Sequence, residues 1–215
     1  MFYLVKTPWW LKKWYSGLVW DLPHPAGAKT LYLTFDDGPH PVATPFVLDT
    51  LQQYGAKATF FCIGKNVQEY PQLYRRILEE GHRTGNHTQH HLNGWKSRDA
   101  DYLGNISLAA ESIDSDLFRP PYGRISNLQA LLLRKPPYGY RIIMWDVLSA
   151  DFDRKLSPER CARNVIRHAR AGSIVVFHDS EKAFPRLESA LPAVLGYFQE
   201  KGFSFEAIRP WEDGA

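Results

Sequence analysis

The sequence predicts an α/β protein, an irregular (β/α) barrel of about seven parallel strands. Short apolar, strand-like runs alternate with helical patterns about seven times, which calls for parallel strands joined by crossover helices. Asp36, Asp37, His87, Arg119, Asp146 or Asp151, and His178 all fall at or just past the C-terminal ends of different predicted strands. A barrel gathers many such ends into one ring, whereas an open sheet gathers fewer. At 215 residues the chain is short for a regular eightfold barrel, so the closure is expected to be irregular.

The chain divides into an aromatic-rich N-terminal arm, residues 1–29, and one domain over residues 30–215. Four of the seven tryptophans, Trp9, Trp10, Trp14 and Trp20, lie in the arm. If residues 9–18 are helical, Leu11, Trp14, Tyr15 and Leu18 share a face, with Lys12 and Lys13 off it. The arm is expected to pack on the domain, and contact with a membrane surface is its alternative. A turn-rich joint at 23–27 leads into the strand TLYLTF at 30–35 and a helix at 42–54 ending at Gly55. The apolar run ATFFCIG at 58–64 is a second strand. It precedes the helical YPQLYRRILEEG, where Pro71 suits a first turn and Gly81 a C-terminal cap. A short RTGNH strand follows, then a helix at 99–112, a brief strand in DLFRPP and a modest helix at 126–134. YRIIMW at 140–145 reads as a strong strand. The series closes with a helix at 158–171, the strand SIVVFH at 173–178, a helix at 187–200 and FSFEAI at 203–208.

Composition excludes several function classes. With 44% hydrophobic and 14% aromatic residues the chain is long and apolar enough to bury one substantial core. A net charge of +3, dispersed along the chain, gives no ground for a nucleic-acid partner. Lys6, Pro8, Lys12 and Lys13 interrupt the about 7–15 apolar residues that an export signal needs, so a cytoplasmic protein is expected. Nothing approaches the ~20 apolar residues of a transmembrane helix. Cys62 and Cys161 read as reduced core or helix cysteines. No feature of the sequence encodes an oligomeric state.

The chemistry concentrates in a few residues. Asp36-Asp37 in TFDDGP and the pair His87 and His91 in NHTQHH offer carboxylates and imidazoles to one ion. Three protein ligands leave an open position, the arrangement in which a zinc-like ion lowers the pKa of a water to about 7. Asp-Asp-Gly-Pro also suits a bare turn, and His90 reads as a surface residue. Arg119 in FRPPYG is fit to hold a carboxylate ionised through its rigid fork, and His178 ends a very apolar strand.

Taken in order over residues 30–208, these segments resemble the polysaccharide deacetylases of the NodB-homology type, carbohydrate esterase family 4. TFDDGP, HTQHH, RPPYG and VVFHD each fit a family motif. The resemblance implies that Asp36 is the catalytic base and that Asp37, His87 and His91 ligate one divalent metal: zinc, with cobalt or nickel as alternatives. It implies that Arg119 orients Asp36, that the Tyr122 amide stabilises an oxyanion, and that His178 is the general acid. The fourth motif departs: Leu148-Ser149-Ala150-Asp151-Phe152 stands for Asp-x-x-Asp-Trp, keeping the Asp151 expected to orient His178. The implied activity is removal of N-acetyl groups from an amino-sugar poly- or oligosaccharide, peptidoglycan- or chitin-like. Hydrolysis of a small amide or O-acetyl ester, and carbohydrate binding without catalysis, are the alternatives.

Overall fold

The computed structural model describes residues 3–24 and 27–209. The first two residues of the arm, residues 25 and 26 of the joint and the last six residues lie outside the described part.

Seven parallel strands form a curled half-barrel in the order β5-β4-β3-β2-β1-β7-β6. They are β1 (Thr30–Asp36), β2 (Thr59–Cys62), β3 (Arg83–Asn86), β4 (Leu117–Phe118), β5 (Arg141–Ile142), β6 (Val147–Leu148) and β7 (Ile174–His178). An eighth short strand, β8 (Ser204–Phe205), pairs with the start of β1. The irregular parallel (β/α) barrel expected from the alternation is therefore the fold. β1 sits at its centre, and Leu31, Leu33 and Phe35 alternate onto the face that packs against helices. Phe35 stacks on Phe60 of β2 and Phe177 of β7, with ring centroids 5.1 and 6.1 Å apart.

The helices are α1 (Trp9–Trp14), α2 (Ala43–Gln53), α3 (Gly64–Glu69), α4 (Pro71–Glu79), α5 (Asp99–Ala110), α6 (Asn127–Leu133), α7 (Pro158–His168) and α8 (Phe184–Glu200). Local chemistry sets several of their starts. The His40 ring accepts from the amides of Val42 and Ala43 before α2, Ser126 and Gln129 close a capping box on α6, and Ser157 caps α7. The short α3 is absent from the sequence reading because its polar turn, GKNVQE, carries too few apolar positions to show a period.

Two expectations change in detail. The strand expected over 140–145 is in the ladder only at 141–142. The next two carbonyls, of Ile143 and Met144, turn to accept from the Arg119 guanidinium at 3.1 and 3.0 Å, so that backbone leaves the sheet before β6 begins. In the arm, the helix stops at Trp14, and Trp14 points outward rather than sharing a face with Leu11.

β5 and β6, the ends of the curled sheet, are not paired to each other, and the arm laces the gap. Val19 donates to Ile142 and accepts from Met144, Thr7 donates to Asp146, and Val5 accepts from Leu148, at 2.7–2.9 Å. Leu11, Leu18 and Trp20 join the core cluster built on Tyr102, Phe118 and Tyr140. Among the described residues no helix is long and apolar enough to cross a membrane. Cys62 and Cys161 are both buried free thiols, and burial pushes the Cys62 thiol up.

Candidate active site and metal centre

The C-terminal ends of the strands open into a cavity of about 560 Å³. Asp36, Asp37, His87, His91, Tyr122 and His178 all line it. Strand register explains much of this convergence: Asp36 on β1 is level with His178 on β7, and β3 ends at Asn86, immediately before His87.

Asp37, His87 and His91 bring one ligand atom each within 4.8 Å of one another. Asp37 Oδ1 is 3.1 Å from His91 Nε2 and 3.7 Å from His87 Nε2, yet it is buried without an aligned hydrogen bond. Ligands about 2.0–2.1 Å from a tetrahedral ion stand about 3.3 Å apart, so these atoms have the separation such an ion needs. The state of His87 agrees. Burial lowers its pKa to about 4, and its Nδ1 donates to the Arg119 carbonyl at 2.7 Å, which leaves a neutral ring with the Nε2 lone pair turned to Asp37. Burial would raise the Asp37 carboxyl, but the imidazoles of His91, His178 and His87 hold it below the usual carboxylate range. The donor set therefore fits a divalent ion.

Backbone conformation is part of the site. Asp37, Thr88, His91 and Tyr122 all have φ between 55° and 79°, and Ala150, just before Asp151, has φ 63°. Non-glycine residues rarely occupy this region, and each costs roughly 1–3 kcal/mol unless its surroundings impose it. The imposing contacts are visible. Asn66 on α3 donates to the Asp37 carbonyl at 2.8 Å, Asn86 accepts from the Thr88 amide at 2.8 Å, and Asn105 accepts from the amides of Gln89 and His90. Gly38 is required by close approach, since a Cβ there would fall 2.0 Å from Asp179 Oδ2.

Arg119 is fully buried and donates four ways: to Asp36 Oδ1 at 2.6 Å, to Thr34 Oγ1 at 2.7 Å, and to the carbonyls of Ile143 and Met144. Its guanidinium carbon also lies 4.0 Å from the Phe61 ring centroid. Burial lowers the Arg119 pKa, and the adjoining Asp36 carboxylate opposes that shift. Asp36 is thereby presented on a fixed, charged anchor.

On the opposite side, His178 Nδ1 lies 2.8 Å from Asp151 Oδ1, and the other Asp151 oxygen accepts the His178 amide at 2.8 Å. Burial alone would push this imidazole down. The Asp151 carboxylate, with Asp37 and Asp36 beyond it, outweighs burial and raises His178 to about 9. Phe152, where the resemblance has tryptophan, packs edge-on to His178 with centroids 5.3 Å apart. Leu148, where it has aspartate, lines the cavity.

The remaining candidates separate cleanly. Tyr122 approaches through its side chain: its hydroxyl is 3.1 Å from His91 Nδ1 and the two rings meet edge-on at 4.5 Å. His90 is exposed and accepts from Asn105, outside the ligand cluster. Asp146, the alternative to Asp151 at that strand end, instead pairs with Lys6 and Lys12 and accepts from Ser173. Sequence reading gave no role to Thr34, Asn66, Asn86, Asn105 and Asp179: Thr34, Asn86 and Asp179 stand inside the quoted motifs, but residue type alone does not state what a Thr, Asn or Asp will touch. Asp179 is buried, accepts from Thr44 at 2.5 Å and is raised by burial to about 8.

Comparison with known proteins agrees with this geometry. The family described as polysaccharide deacetylase matches residues 24–141. A peptidoglycan-N-acetylglucosamine deacetylase of Bacillus cereus is 35% identical over 89% of this chain and 91% of its own length. A chitooligosaccharide deacetylase of a Bradyrhizobium species is 36% identical over 72% of each chain. Among solved structures, a peptidoglycan N-acetylglucosamine deacetylase in complex with a naphthalenyl N-oxidanyl-benzamide superposes with a TM-score of 0.83 at 29% identity, covering 94% of this chain and 95% of that one. On its sequence, its curled parallel sheet and the residues gathered at the strand ends, this chain belongs to the polysaccharide deacetylase family.

Proposed function

We propose that the chain is a metal-dependent hydrolase that removes N-acetyl groups from a peptidoglycan- or chitin-like amino-sugar poly- or oligosaccharide, releasing acetate. The observation that carries this reading is the joint presence, around one cavity, of the Asp37-His87-His91 cluster, Asp36 on its Arg119 anchor and His178 on Asp151. Carbohydrate binding alone needs no such combination of base, acid and ligand set.

Asp37, His87 and His91 would hold the ion; imidazole with carboxylate suits zinc, and also cobalt or nickel. When bound, a divalent ion there supplies Lewis acidity toward the acetyl carbonyl and the attacking water. Asp36 removes the water's proton. Arg119 occupies Asp36 Oδ1, leaving Oδ2 to accept that proton. The Tyr122 amide is assigned to the oxyanion, where one donor is worth about 2.7–4 kcal/mol. His178, its Nδ1 fixed on Asp151, gives the proton on Nε2 to the departing amine nitrogen.

A panel of acetylated sugars tests the leaving group. N-acetylglucosamine oligomers are expected to yield acetate and free amines. Turnover restricted to O-acetyl esters or small amides would replace this reading with its alternative.

The His178 shift gives a pH prediction. A general acid works while protonated, so activity persists below its pKa and is lost as pH rises through it. With His178 raised to about 9, the basic limb of kcat lies above the ordinary histidine range, which centres near 6.5. Asp151→Asn removes the largest opposing charge and leaves burial to act. The basic limb should move down by more than about one pH unit, and kcat at pH 8 should fall by at least about twofold. An unmoved limb would show that another group donates the proton.

A further inference from the structure

α1 is inside out. Its Lys12 turns toward the domain, where its ammonium pairs with Asp146 at 2.5 Å and also with Asp21, and Leu11 packs into the core cluster beside Trp20. Trp9, Trp10 and Trp14 instead face outward, 74%, 51% and 77% exposed. This orientation is held firmly. Lys6 pairs with the same Asp146 carboxylate at 2.5 Å, Thr7 donates to the Trp145 and Asp146 carbonyls, and Val5 accepts from Leu148. Rotating the helix to bury its indoles would strip the nearly fully buried Asp146 of Lys12.

Three large apolar rings held in solvent by a pinned element mark a contact surface. Lys13 stands one turn from Trp9, so a cation sits among the indoles. Indole N–H groups and an ammonium are donors only, and no acceptor side chain lies among these four residues. Sugar hydroxyls both donate and accept. The headgroup region of a bilayer offers ester carbonyls and phosphates, which only accept, and it is where tryptophan and lysine concentrate. The same segment also continues into the catalytic cavity, which Leu4, Thr7 and Leu11 line.

We propose that α1 is an interfacial anchor that docks on the headgroup region of a lipid bilayer and seats the mouth of the catalytic cavity at that surface. Docking can be read without turnover, so it stands or falls separately from the deacetylase reading.

The test is co-sedimentation of the whole chain with vesicles of equimolar phosphatidylcholine and phosphatidylglycerol. The comparison is W9A/W10A/W14A, whose altered rings lie outside the proposed catalytic groups. The native chain should sediment with vesicles and its indole emission should shift to the blue. In the triple variant the bound fraction should fall at least tenfold, with the melting temperature and acetate release from soluble N-acetylglucosamine oligomers unchanged. Equal vesicle binding by both proteins, or none by either, overturns the proposal. So does a variant that loses binding to insoluble chitin or peptidoglycan instead of vesicles, which makes the face a glycan platform. Loss of a concentration-dependent dimer as the variant's only change overturns it too, by making the face a contact between copies.

Discussion

Asp36→Asn is expected to lower acetate release by about 10²–10⁴-fold, the usual contribution of a positioned general base, while the protein still binds one divalent ion. The separation of effects follows from geometry. Asp36 spends one oxygen on Arg119, whereas the neighbouring Asp37 presents its Oδ1 to the Nε2 atoms of His87 and His91. An asparagine at position 36 can still accept from Arg119 through its amide oxygen, but it cannot take a proton from water. Zinc content and single-turnover acetate release, measured on the same preparation, check this. If the ion is lost along with turnover, the division between base and ligand is wrong.

Arg119→Met is expected to destabilise the fold by about 3–5 kcal/mol as well as to abolish activity. The substitution leaves the Asp36 carboxylate, only 4% exposed, without its ion-pair partner, and it also strands the carbonyls of Ile143 and Met144. An unpaired buried charge and unsatisfied buried acceptors both cost free energy. Arg119→Lys keeps the charge but cannot reach four acceptors through one ammonium, so an intermediate loss is expected. Denaturant midpoints at constant m-value measure both effects. A midpoint for Arg119→Met within about 0.5 kcal/mol of the native protein would contradict the role given to this network.

Both variants act on residues that the sequence made visible, and the reason is physical. TFDDGP, HTQHH, RPPYG and VVFHD carry dense chemistry next to strand ends, and the parallel alternation that marks a barrel also states where its strand ends converge. The elements around them were harder to read. A strand over 140–145 is what YRIIMW favours locally, but Arg119 captures two of its carbonyls and the ladder breaks there. The positive φ angles of Asp37 and Thr88 leave no trace in composition, because they are held by contacts from Asn66 and Asn86. The face of α1 was misplaced for the same kind of reason. Helical periodicity sorts apolar from polar residues, whereas the orientation is set by Lys12 reaching Asp146, 134 residues away in sequence.

The most direct test of the account is metal titration against acetate release. Chelator-treated protein should release no acetate from N-acetylglucosamine oligomers, and activity should return in proportion to added zinc or cobalt, reaching a plateau at about one ion per chain. His91→Ala should show no such plateau at the same concentrations. Full acetate release by the metal-free protein, or a metal-loaded protein that binds the oligomers and releases none, would contradict it.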